Sequence, residues 1–267
     1  MTASAHGSRG STNGEPHARL VDGVLFDVDD TLVDTRGAFA QALAVVAREY
    51  LPALDSAESR AARDAELVVM WRADVNGHYR RYTEGHASYD AQRMARANEL
   101  HAAFDGPALD DVGFAAWDAV FFGGFRAAWA AHTDAVDAVV RLLDAGIAVG
   151  ALSNASTDLQ TEKLAKAGLG DHVPMLVGVD TLGFGKPDPR VFAEACRRLG
   201  TDPSRTAYVG DELDVDAAAA KAAGLVGIWL DRPDSRRHEI SDDAINAAAV
   251  HRVTTLSELP AALALTH

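Results

Sequence analysis

Residues 21–27 read VDGVLFD and run straight into VDDTLVDT, residues 28–35. The apolar run is too brief for a helix, and it ends in carboxylates and turn residues, which predicts a buried strand with acids at its C-terminal end. Beyond it Phe39, Leu43, Val46 and Tyr50 recur at the spacing of one helix face, so a helix follows the strand. From there to about Phe125 the chain is rich in Ala, Arg and aromatics. It has no strong β-branched run, and breakers stand at Pro52, Gly85, Gly106, Pro107 and the pair Gly123-Gly124. That stretch reads as wholly helical.

After His132 the period changes. Val136, Val139, Val140 and Leu143 form a helix stripe that Gly146 ends, and IAVGAL from Ile147 to Leu152 predicts a strand. Further strands are expected at Met175 to Val179, Thr206 to Val209 and Gly227 to Leu230. Helices are expected near Arg190 to Leu199 and Val215 to Ala223. The alternation implies an α/β fold, a doubly wound Rossmann-like parallel sheet with helices on both faces. An all-helical cap domain, 35–133, interrupts a core made of 19–34 and 134–267. Residues 1–18, polar and rich in Gly and Ser, read as a disordered tail.

Composition narrows the function. The 267 residues carry a formal net charge of −14, which repels nucleic-acid polymers and anionic membranes and asks for a local positive cluster if the substrate is an anion. Cys196 is the only cysteine, so no intrachain disulfide forms and a reducing cytoplasm fits. No stretch of about 18 apolar residues runs without a charge, so no membrane span is expected.

In open parallel sheets the loops after the strands form the ligand crevice. Here they carry Asp27, Asp29 and Asp30 after the first strand, Ser153 and Asn154 after the second, and Lys186 before a Pro-Asp-Pro turn after the third. Gly210-Asp211-Glu212-Leu213-Asp214-Val215-Asp216 follows the fourth. Several carboxylates brought together repel one another, and a hard divalent cation with oxygen ligands, magnesium above all, relieves that repulsion. Asp30 is read as a helix-capping residue, Asp214 as a first-turn helix residue, and Glu212 as facing solvent.

FDVDDTLVDT, LSN, GKPDP and VGDELDVD, in this order, resemble the four motifs of the haloacid dehalogenase-like hydrolase superfamily, and the resemblance covers nearly the whole chain from Leu20. It implies a magnesium-dependent phosphatase acting on a small phosphorylated metabolite, as a monomer or homodimer. Asp27 would be the nucleophile that forms an aspartyl phosphate. Asp29 would be the acid and base, and its main-chain carbonyl would touch the metal. Asp211 would supply a carboxylate ligand with Asp216 behind it. Ser153 and the Asn154 N–H would hold the phosphoryl oxygens, and Lys186 would neutralise nucleophile and phosphate together. The helical insert resembles the cap of a capped subclass, where substrate choice lies. Within it Tyr89, Arg93 and Arg96 share a helix face, so Arg93 and Arg96 are expected to grip an anionic substrate.

Other chemistries share the fold. A haloacid dehalogenase would use the same nucleophile on carbon but needs neither Asp29 nor Asp211. A phosphonate-cleaving enzyme would need a cap lysine, and none occurs between Thr35 and His132. A phosphomutase shares the motifs. A catalytically silent binding protein is disfavoured because the motifs are complete.

Overall fold

The computed structural model describes residues 20–233 and 235–264; the expected tail, 1–18, lies outside them. Six strands form one parallel sheet: β1 (Gly23–Phe26), β2 (Ala148–Leu152), β3 (Met175–Val177), β4 (Thr206–Gly210), β5 (Val226–Leu230) and β6 (His251–Val253). Their order across the sheet is β3-β2-β1-β4-β5-β6. The chain's first strand therefore sits between β2 and β4, at the switch point where open sheets bind ligands.

The alternation of side chains along a strand divides the core. Val24 and Phe26 point into one cluster with Ala138, Val139 and Leu142 of helix Ala135–Asp144, and with Leu256 and Leu259 near the C-terminus. Leu25 points the other way, onto Val191, Phe192 and Ala195 of helix Pro189–Leu199. Helices thus cover both faces, as expected.

Between β1 and β2 lie α1 (Thr35–Tyr50), α2 (Ala57–Ala73), α3 (His78–Thr83), α4 (Tyr89–Ala103) and α5 (Asp111–Ala127), followed by α6 (Ala135–Asp144). Of these, α1, α2, α4 and α5 build an apolar core of their own around Leu43, Leu67, Trp71, Leu100, Trp117 and Phe121, in which the rings of Trp117 and Phe121 stack with centroids 5.3 Å apart. Pro52, Gly85, Gly106 and Pro107 fall between helices as expected. Gly123-Gly124 does not break the chain; α5 runs through both. A Cβ on Gly124 would stand 3.0 Å from the Cα of Ala42, so the glycine lets α1 and α5 lie close.

The rest of the core comprises α7 (Thr157–Lys166), α8 (Pro189–Leu199), α9 (Ala219–Ala222), α10 (Asp242–Ala248) and α11 (Leu259–Ala262). The helix expected from Val215 begins instead as a widened turn, Leu213–Ala218, and only then becomes α9.

Asp134, at the start of α6, clamps the C-terminal half of the core. It accepts two hydrogen bonds from Arg232, at 2.8 and 2.9 Å, one from the Thr255 hydroxyl at 2.7 Å and one from the Leu256 N–H at 2.9 Å. Burial alone would raise its carboxyl, but these donors hold it well below the usual carboxylate range. A depressed folded value means stabilisation that is full at neutral pH and fades as pH falls below about 4, where the unfolded chain takes up the proton first. Asp134→Asn should destabilise the protein by about 1.5–3 kcal/mol at pH 7. In urea unfolding the gap from wild type should shrink at pH 3, and a gap independent of pH would contradict the clamp.

Candidate active site

Asp27 is the first residue after β1, and its own N–H extends the sheet by donating to the Val209 carbonyl at 2.8 Å. Its carboxylate is buried and meets the Lys186 ammonium, Nζ to Oδ1 at 2.7 Å. The same nitrogen reaches Asp216 Oδ1 and the Tyr208 hydroxyl, each at 2.7 Å, so its three protons have three acceptors. Burial pushes Asp27 up, to about 7, against the pull of Lys186, and Asp216 and Asp29 push the same way. For Lys186 burial works downward, yet Asp216 and Asp27 carry the ammonium well above its ordinary value. The lysine is held charged between two acids.

Two main-chain segments are locked around that ammonium. The Asn154 amide accepts from the Lys186 N–H at 2.6 Å and donates to its carbonyl at 2.9 Å, tying the loop after β2 to the lysine. Asp216 accepts the Glu212 N–H at 3.0 Å, which folds the loop after β4 back on itself. Ser153, 1% exposed, accepts from Gln160 at 2.7 Å and from the Ala155 N–H at 3.3 Å, leaving its own proton to give. Asp188 caps α8 through the Arg190 N–H at 2.9 Å, with Pro189 in its first turn, so the lysine loop and the helix start share one segment.

Asp29 stands apart. Its Oδ1 accepts from Thr35 at 2.6 Å and from the Lys163 ammonium, and its Oδ2 from Gln160 at 2.6 Å. Although burial raises it, Lys163 and the two neutral donors bring this carboxyl below its usual range. Two neighbouring carboxylates, two residues apart, thus have opposite surroundings and opposite shifts. Gln160 and Lys163 fall outside the four motifs; only their i, i+3 spacing on α7 hints that they act together.

Asp27, Asp211 and Asp216 each bring an oxygen within 4.8 Å of the others. Burial pushes Asp211 well up, Arg237 opposes, and Asp30 and Glu212 add to the rise. Three hard oxygen donors balanced at close range by one ammonium make a donor set suited to a divalent cation. The Asp29 side chain is not part of it.

The remaining expectations fare differently. Asp30 does receive a main-chain donor from the start of α1, Arg36 N at 2.6 Å, but the N-cap of that helix is Asp34, and Asp30 is paired with Arg72 at 2.9 Å. Glu212 does not face free solvent; it holds Arg237 at 2.6 Å. Arg93 and Arg96 are engaged inside the insert. Arg93, 4% exposed, pairs with Asp118 and lies over the rings of Phe121 and Phe122 at 4.4 and 4.5 Å. Arg96 lies 4.0 Å over the Trp71 ring and donates to the Trp71 carbonyl and to Gln92. A helix face rich in arginine and aromatics satisfied itself by stacking. The guanidiniums that border the acidic loops are Arg72 and Arg237. With Arg36 and Arg236 they line a cleft of about 420 Å³ between α1, α2 and the segment after β5.

A family model described as haloacid dehalogenase-like hydrolase matches residues 21–224. The chain belongs to the haloacid dehalogenase-like hydrolase family. A glyceraldehyde 3-phosphate phosphatase of Methanopyrus kandleri is 28% identical over 216 residues, 80% of this chain and 85% of that protein. An (S)-2-haloacid dehalogenase of Pseudomonas putida is 25% identical over 239 residues, covering 90% of this chain and 95% of its own. A solved hydrolase of the same family from Bacillus subtilis, bound to magnesium, shares the fold with a TM-score of 0.72 at 21% identity, over 92% of this chain and 99% of that one.

In this family member the Lys186 cluster makes a stability prediction. Lys186→Met leaves Asp27 and Asp216 buried against each other, so metal-free unfolding in urea should show a loss of about 3–5 kcal/mol. A loss below about 1 kcal/mol would mean that the carboxylates are hydrated rather than paired.

Proposed function

We propose that the protein is a magnesium-dependent phosphatase of small phosphorylated metabolites, working through an aspartyl phosphate on Asp27. The observation that carries this reading is the separate provision for two carboxylates. Asp27 is paired with Lys186 at the sheet's switch point, and Asp29 is held by its own lysine, amide and hydroxyl. A haloacid dehalogenase needs only the first.

An Asp27 oxygen attacks phosphorus as the bond to the leaving oxygen breaks, and Asp29, ionised in the free site beside Lys163, gives that oxygen a proton it takes up as the anionic substrate enters beside it. Water then attacks the same phosphorus and passes a proton to Asp29 while the bond to Asp27 breaks, releasing phosphate and restoring both carboxyls. Ser153 and the Asn154 N–H bind phosphoryl oxygens, and Lys186 offsets the charge that Asp27 and phosphate bring together. Asp27, Asp211 and the Asp29 main-chain carbonyl would hold Mg2+, with Asp216 orienting the loop behind them. When bound, the ion would withdraw charge from the phosphoryl oxygens.

The helical insert, 35–133, acts as a cap. Tyr79 of α3 donates to the Asn154 carbonyl at 3.0 Å, so the insert already touches the phosphate-binding loop. The cleft lined by Arg36, Arg72, Arg236 and Arg237 is where an anionic substrate would meet guanidiniums on a chain of net charge −14, although Arg72, Arg236 and Arg237 already hold carboxylates. No described helix is long and apolar enough to cross a membrane, and a lone buried cysteine suits a cytoplasmic setting.

Asp27→Asn should abolish release of phosphate from p-nitrophenyl phosphate while leaving circular dichroism and Tm close to wild type, because an amide cannot form the intermediate. Retained turnover would remove Asp27 as nucleophile. Hydrolysis should also stop in chelator, return with Mg2+, and return poorly with Ca2+, whose larger and looser coordination fits in-line transfer badly. Full activity of Asp211→Ala in chelator would rule out the metal-dependent reading.

A further inference from the structure

The environment of Asp29 contains a residue that the four motifs do not include. Lys163 is 1% exposed, and a buried ammonium needs a partner. That partner is Asp29 Oδ1. On its other side the nitrogen lies 5.3 Å from the ring of Phe125 and 5.6 Å from that of Trp129, both from the end of the insert. Gln160, one helical turn earlier and fully buried, gives its amide to Asp29 Oδ2 at 2.6 Å and to Ser153 Oγ at 2.7 Å. Thr35, the first residue of α1, closes the set on Oδ1 at 2.6 Å.

Both oxygens of Asp29 are therefore fixed from different directions, and the carboxylate cannot rotate without breaking a bond to a buried group. The charged member is decisive, since a charge-assisted bond is roughly twice as strong as a neutral one. The site also keeps its two carboxylates distinct by giving each its own ammonium, Lys186 for Asp27 and Lys163 for Asp29.

We propose that Lys163 is a positioning residue for Asp29. With Gln160 it holds the carboxylate where it exchanges a proton with the leaving oxygen and the attacking water, while Phe125 and Trp129 hold the lysine from the insert. Lys163 acts only through Asp29. This rests on the phosphatase reading, in which Asp29 is the acid.

The test compares wild type, Lys163→Met, Lys163→Arg, Asp29→Asn and the double variant Asp29→Asn/Lys163→Met, with Mg2+ present, on p-nitrophenyl phosphate and on an alkyl phosphate. Lys163→Met should lower kcat/KM for the alkyl phosphate by about 10- to 100-fold and for the nitrophenyl ester by less than about threefold, because kcat/KM reports formation of the aspartyl phosphate, where only the poor leaving group needs the proton, whereas kcat also contains the water step common to both esters. Lys163→Arg should recover part of the loss. In the Asp29→Asn background the lysine substitution should cost nothing further, as expected when two residues act as a unit. Gln160→Leu should give the same leaving-group pattern, which keeps the proposal testable if Lys163→Met does not fold. An equal loss of kcat/KM on both substrates, or a further loss on top of Asp29→Asn, overturns the role of Lys163. If Asp29→Asn itself does not penalise the alkyl phosphate most, the phosphatase reading fails instead.

Discussion

The structure depends on the charge of one buried ammonium. Lys186 can keep its proton away from water only because Asp27, Asp216 and Tyr208 surround it at hydrogen-bond distance. Those partners come from the end of β1, the middle of β4 and the turn after β4, so the sheet order that places β1 beside β4 is a condition for the cluster to exist. The constraint runs the other way as well. Asp27 and Asp216 would repel each other without the lysine, so the three loops share one electrostatic solution. That rigidity is what a site needs if a phosphoryl group is to meet charges already in place.

The same logic explains how an acidic chain can gather further carboxylates beside the site. Asp30 and Glu212, next to Asp29 and Asp211, are each bound to an arginine from elsewhere, Arg72 from the insert and Arg237 from the segment after β5. Extra carboxylates near the site thereby become anchors for cations rather than added repulsion. The cleft formed by Arg36, Arg72, Arg236 and Arg237 opens beside the acidic loops. Net charge of the chain is thus a poor guide to the field at the crevice, which is set by a few nearby groups in partly desolvated surroundings.

How much of this the sequence discloses follows from how local each signal is. Strand ends announce themselves because a short apolar run stopping at polar or turn residues has few other readings; Asp27, Ser153 and Asp211 stand beside such ends, while Lys186 is marked instead by the Pro-Asp-Pro turn that follows it. Pairings across long separations leave no such trace. Arg72 lies 42 residues from Asp30, and Lys163 lies 134 from Asp29. Arg93 and Arg96 misled for the opposite reason: their shared helix face is real, but stacking on Trp71, Phe121 and Phe122 and pairing with Asp118 consume them inside the insert. Periodicity shows which residues share a face, not what that face meets. The pair Gly123-Gly124 is a further instance, because close approach to α1 and a chain break call for the same residue.

The contacts between insert and core converge on the site. Tyr79 reaches the carbonyl of Asn154, whose side chain brackets the main chain of Lys186. The Thr83 carbonyl accepts from Gly185 N–H at 2.8 Å, next to the same lysine. Gly85 passes so near Gly183 that a Cβ would stand 2.9 Å from its carbonyl oxygen. Arg72 holds Asp30, and Phe125 and Trp129 lie against Lys163. The insert thus has a hold on each of the loops bearing Asp29, Asn154 and Lys186, and on the helix bearing Lys163. Each of these loops therefore keeps a contact with the insert in the seated arrangement. An insert placed between β1 and α6 is suited to this hold, because its two ends meet where Val33 bridges Ala131, and Val33 also bridges Asp29.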